Sequence, residues 1–119
     1  MKKRSLVLTV ILMGITASVW AGKSDQAIIK EASKNQFTVA QATKATDATG
    51  VTLTGEIAAQ LKDEHYQFKD NTGTITVEID RDLATPQQLQ NGVKVKIIGE
   101  VDTHRDKPTD IEAVQVEIL

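Results

Sequence analysis

The chain has 119 residues, 14 Lys and Arg against 16 Asp and Glu, and no Cys. That is room for one domain, and it excludes a disulfide framework, a thiolate metal site and a cysteine nucleophile. Lys2, Lys3 and Arg4 open the chain, so beyond Ala21 the balance is 11 positive against 16 negative, or −5; this is the wrong sign for a surface that holds nucleic acid.

The basic opening is followed by an uncharged apolar run from Leu6 to Ala17, with small residues around Ala21. This is the pattern of a cleavable secretory signal over 1–21, and the run is shorter than the ~20 residues a bilayer-spanning helix needs. The short basic signal suits export to a bacterial periplasm. Residues 22–36 are polar with scattered apolar positions and read as a mobile leader or frayed helix. Thr38-Val-Ala-Gln41 is a capping box that predicts a short helix over 39–46.

From Val51 the apolar period becomes two. Val51, Leu53, Gly55 and Ile57 predict a first strand with a bulge or bend at Gly55. His65 to Lys69 is a second, with Tyr66 and Phe68 on one face, and Asp70-Asn-Thr-Gly73 is a hairpin turn in which Gly73 would supply a positive φ. Ile75, Val77 and Ile79 point inward from a third strand over 74–80. Thr85-Pro-Gln-Gln88 is a second capping box, predicting a short helix of only a turn or two that ends at Gly92. Val93 to Val101 is a fourth strand. Asp110 to Leu119 is a fifth, whose apolar positions change parity near Ala113-Val114 and so predict a bulge there. Five short strands in this order, with mid-strand glycines at 55 and 99, predict a mainly β chain: a Greek-key OB-fold barrel over 37–119 with a short N-terminal helix and a short helix between strands three and four.

Val51-Thr-Leu-Thr-Gly-Glu-Ile57, Tyr66-Gln-Phe-Lys-Asp70, Thr72-Gly-Thr-Ile-Thr-Val-Glu-Ile-Asp80 and Val95-Lys-Ile-Ile-Gly-Glu-Val-Asp102 together resemble the bacterial periplasmic OB-fold (BOF) family of YgiW/YdeI type, over about residues 37–118. Two departures stand out. The family's Trp after the third strand is replaced by Arg81-Asp-Leu-Ala84, and its Gly-Phe-x-Gly-Pro leader is absent. The resemblance implies an OB barrel in the periplasm, no catalysis, and envelope stress tolerance through binding.

The residues exclude several chemistries. Phe37, Tyr66 and Phe68 are the aromatics beyond the signal, too few for a base-stacking platform, and the shared face of Tyr66 and Phe68 reads as barrel core ahead of ligand platform. His65 and His104 read as solvated, with no metal ligand set and no cofactor site. There is no nucleophile elbow or phosphate loop, and nothing predicts the apolar pocket that a paired-carboxylate hydrolase needs. The remaining signal is acidic: Glu78, Asp80, Asp82, Glu100, Asp102, Asp106, Asp110 and Glu112 gather at strand ends and in the loop after strand four. In an OB barrel that region flanks the binding face. Tyr66, Lys69, Asp70, Glu78, Asp80, Glu100 and Asp102 are therefore the candidate contacts for a small cationic, saccharide or peptide ligand. A solvated rim that only keeps the chain soluble is the alternative reading of the acids. For the function as a whole, the alternative is an adaptor that engages an envelope protein through a sheet edge, the fifth strand above all.

Overall fold

Alternating apolar side chains close the chain on itself. The computed structural model describes residues 24–119; the signal reading of 1–21 lies outside the described residues. Five strands, β1 (Gly50–Lys62), β2 (His65–Asp70), β3 (Gly73–Glu78), β4 (Lys94–Asp102) and β5 (Asp110–Ile118), form a closed barrel in the order β1-β2-β3-β5-β4. The helices are α1 (Asp25–Ala32) and α2 (Val39–Thr43). This is the OB architecture expected from the alternation.

Leu53, Ile57, Phe68, Val77, Val95, Ile97 and Ile111 are fully buried inside the barrel. Each contributes roughly 1.5–3 kcal/mol by leaving water. β1 is long enough to serve two ladders: Gly50 to Glu56 pair with β4, and Glu56 to Lys62 pair with β2. Closure is completed by a short parallel ladder, Thr76 to Glu78 of β3 against Asp110 to Glu112 of β5.

The predicted bulge in β5 is present. Gly99 pairs with Ala113 and Ile98 with Gln115, which leaves Val114 as the extra residue. Gly55 does not carry a bulge. The irregularities in β1 fall later, between Ile57 and Ala59 and between Gln60 and Lys62. Gly55 is needed because β2 crosses so closely there that a Cβ would meet the Lys69 carbonyl and lie 2.8 Å from the Phe68 ring. Gly73 is nearly extended, with φ 158°. The hairpin is shaped instead by Asp70, whose carboxylate accepts from the Thr72 N–H at 2.7 Å and from the Thr72 hydroxyl at 2.6 Å.

The segment read as a mobile leader or frayed helix holds α1, which is neither mobile nor frayed: it is capped by Ser24 and packed on β1, β4 and β5. Ile28 and Ala32 are buried against the barrel, and the Ala32 carbonyl accepts a 2.8 Å bond from the buried Thr52 hydroxyl. Thr52 stands at an outward strand position, and α1 lies over it. Packing against the barrel thus begins with α1, ahead of Phe37. Between β3 and β4 the expected turn or two of helix is a single hydrogen-bonded turn. The box forms, with Thr85 N–H on Gln88 Oε1 at 2.9 Å, and Leu89 N–H reaches the Thr85 carbonyl at 3.1 Å. Gly92, at φ 89°, then turns the chain into β4 before a second turn can be added. α2 forms where predicted, with both bonds of the Thr38–Gln41 box in place, but ends at Thr43 and not at 46.

Candidate functional site

Outward side chains on β2, β3, β5 and β4 line up in two rungs. The ladders place His65 opposite Glu78, Glu78 beside Glu112, and Glu112 opposite Glu100; one step along, Gln67 faces Thr76, Thr76 lies beside Asp110, and Asp110 faces Asp102. Directly paired residues have Cβ atoms about 4.5–5.5 Å apart. Five carboxylates, those of Glu78, Glu100, Asp102, Asp110 and Glu112, therefore share one patch of the barrel wall, and neither rung includes Lys or Arg.

The electrostatics record the crowding. Glu112 stands open to solvent, yet partial desolvation and then the neighbouring charges of Glu78, Asp102, Asp110 and Asp25 push its carboxyl above the usual glutamate range. Like charges set opposite one another in a sheet are destabilising, so a counter-charge is favourable here.

His104 closes the wall at the loop between β4 and β5. Its Nε2 lies 3.2 Å from Asp110 Oδ1 and 3.6 Å from Asp102 Oδ2. One ligand atom from each of Asp102, His104 and Asp110 falls within 4.8 Å of the others, a spread that one cation could bridge. The loop is fixed from outside: Asp47 Oδ1 accepts from the Thr103 N–H at 2.8 Å and from its hydroxyl at 3.1 Å. Those two bonds, with the nearby His104, hold the Asp47 carboxyl below the usual range against a small opposing desolvation.

Beside the wall lies a groove of about 490 Å³ between β1, β2, β3 and the β4–β5 loop, lined by Leu61, Lys62, His65, Thr76, Lys107, Pro108 and Asp110. His65 Nδ1 is buried and has no hydrogen-bond partner.

Of the seven residues nominated from sequence, Glu78, Glu100 and Asp102 meet in the wall. Asp80 borders an adjoining acidic cleft of about 300 Å³ with Asp25, Asp82 and Glu112; its Oδ1 also accepts the Asp82 N–H at 2.8 Å. Tyr66 is a correction: at 1% exposure its ring is part of the core and presents no face to a ligand. Burial raises its hydroxyl pKa, with Arg81 opposing and Glu64 adding to the shift. Lys69 and Asp70 stand apart from the wall. They line a second groove of about 420 Å³ with Glu56, Asn71 and Lys94, where Lys69 Nζ is 3.9 Å from Glu56. Asp70 is structural. Burial opposes its charge, but bonds from the Thr72 hydroxyl and from the N–H groups of Val39, Thr72 and Gly73 outweigh it and hold the carboxyl below the usual range. Asp110 belongs to the acidic group read from sequence; what that reading misses is its meeting with His104, which is not solvated but sits between two carboxylates. A hairpin register setting Asp102 opposite Asp110 is the signal that would have joined them.

The model of the bacterial OB fold (BOF) protein family matches residues 16–118. The calcium-regulated OB-fold protein CarO of Pseudomonas aeruginosa is 40% identical over 82 residues, which span 66% of this chain and 69% of CarO. A Haemophilus influenzae protein is 29% identical over 117 residues, 96% of this chain and 97% of that one. The solved structure of YgiW from Escherichia coli superimposes with a TM-score of 0.66 at 34% identity, over 73% of this chain and 92% of YgiW. A family match across most of the chain, joined to the closed five-stranded barrel, makes this protein a member of the bacterial OB-fold (BOF) family.

Proposed function

We propose that the chain is a non-enzymatic periplasmic binding protein that serves envelope stress tolerance by holding a multivalent cation on the acidic wall of its barrel. The observation that carries this reading is the pair of rungs that sets Glu78, Glu100, Glu112, Asp102 and Asp110 side by side. Asp102, His104 and Asp110 would supply the direct ligands, and the remaining carboxylates the surrounding field. The calcium-regulated relative supports a link to divalent cations. The basic, apolar opening of the sequence supports export, with cleavage near Ala21. Among the described residues no helix is long and apolar enough to cross a membrane. A wall of this sign repels phosphate backbones, which argues against nucleic acid as the partner.

Isothermal titration and amide chemical shifts with Ca²⁺, Mg²⁺, Zn²⁺ and spermidine test the reading. Shifts at Asp102, His104 and Asp110 are expected for at least one cation. Asp102→Asn and Asp110→Asn should each weaken binding about fivefold or more, since a unit charge at 4 Å in water is worth about 1 kcal/mol. No shift on the wall with any of the four cations would overturn it.

The same wall makes a pH prediction. The folded chain holds the Glu112 proton to higher pH than the unfolded chain does. Stability should therefore fall as pH rises through the ordinary glutamate range towards the raised folded value. Glu112→Gln should remove that slope and raise the thermal midpoint at neutral pH, and a bound cation should do the same for the unaltered protein. Thermal melts of both chains between about pH 4 and 7 check this; parallel curves would refute it.

A further inference from the structure

We infer that the outer edge of β5, from Ala113 to Ile118, docks an extended basic segment of a partner protein, which adds to the barrel as a sixth strand. β5 pairs with β4 along its length but with β3 only from Asp110 to Glu112. Leu119 N–H donates to the Lys94 carbonyl at 2.9 Å, which fixes the phase of the antiparallel ladder. Bonded pairs alternate with unbonded ones, so Gln115 and Glu117 bond to β4, while the N–H and C=O groups of Val116 and Ile118 turn to the side where, among the described residues, no strand follows.

Those two residues also carry apolar side chains on the barrel's inner face. Their partners across the ladder, Ile97 and Val95, are completely buried. Val116 is only half-buried and Ile118 is 43% exposed. The difference is a missing neighbour: a strand laid along β5 would satisfy the outward main-chain groups and cover both side chains at once.

Charge selects the occupant. The cleft where this edge begins is lined by Asp25, Asp80, Asp82 and Glu112 together with Ala113 and Val114. An incoming strand that alternates apolar residues with Lys or Arg would bury the former over Val116 and Ile118 and bring the latter to the carboxylates. The inference shares Glu112 with the cation wall but rests on main-chain pairing, which a free cation cannot supply.

The test uses a capped peptide of alternating Val and Lys, its Val–Glu counterpart, and spermidine as a polycation without a backbone. With the Val–Lys peptide, amide exchange at Val116 and Ile118 is expected to slow at least tenfold; the Val–Glu peptide and spermidine should leave it unchanged. Ile118→Pro deletes one outward N–H without removing a bond to β4, and should weaken the peptide tenfold. A semisynthetic chain N-methylated at Ile118 should behave the same way should the proline variant misfold. Val–Lys shifts confined to Glu78, Asp102 and Asp110, with no slowed exchange on β5, would overturn the inference, as would unchanged affinity in the N-methylated chain.

Discussion

Phe68→Ala should cost the fold about 3–5 kcal/mol, read as a urea midpoint lowered by roughly 2 M with little change in slope. Phe68 is completely buried at the centre of β2, pairing with Ile57 on one side and Ile75 on the other. It is one of three aromatics among the described residues, with Phe37 and Tyr66, so no second large ring lies free to fill the space. Against a total stability of about 5–15 kcal/mol for a domain of this size, the loss leaves the variant near its unfolding threshold at 37 °C. A change below about 1 kcal/mol would mean that the barrel interior is not packed around this ring.

Gly55→Ala should be comparably severe for the opposite reason. The added methyl meets the Lys69 carbonyl and the Phe68 ring, at the point where β1 leaves β4 for β2. Overpacking costs typically 1–3 kcal/mol, and more when backbone must move, as the carbonyl must here. The pair of predictions can be tested jointly. Removing the ring by Phe68→Ala relieves only one of the two contacts, so the double variant should recover little of the Gly55→Ala loss. Full recovery would show that the ring, and not the close approach of the strands, forbids a side chain at 55. The control is Gly92→Ala, where a Cβ would meet no atom within 4 Å and only the φ of 89° resists.

Much of the barrel was legible because period-two patterning in a half-buried sheet is strong: Val95, Ile97, Gly99 and Val101 all face inward as the alternation required, and the parity break in β5 placed the bulge near Ala113-Val114, where the register leaves Val114 unpaired. What stayed hidden has a common cause. α1 is short and polar, and only the face bearing Ile28 and Ala32 tells of a surface waiting for it. That surface includes Thr52, whose polar side chain gives no sign in the sequence that a helix covers it. In the candidate site, Glu78, Glu100 and Asp102 could be nominated by their strand parity. His104 could not, because its meeting with Asp110 depends on the path of a loop that Asp47 pins from a distant turn. Tyr66 is ambiguous by nature: an aromatic on a strand serves equally as core or as platform until the facing layer is known.

Because β1 is zipped to β4 from Gly50 to Glu100 onwards, the cylinder cannot shut until some fifty intervening residues have been synthesised and ordered. So non-local a pairing places folding in the millisecond-to-second range. During that interval the apolar faces of the strands stay uncovered, so the span before the ring closes is the one in which this chain is most open to aggregation or to a holding partner.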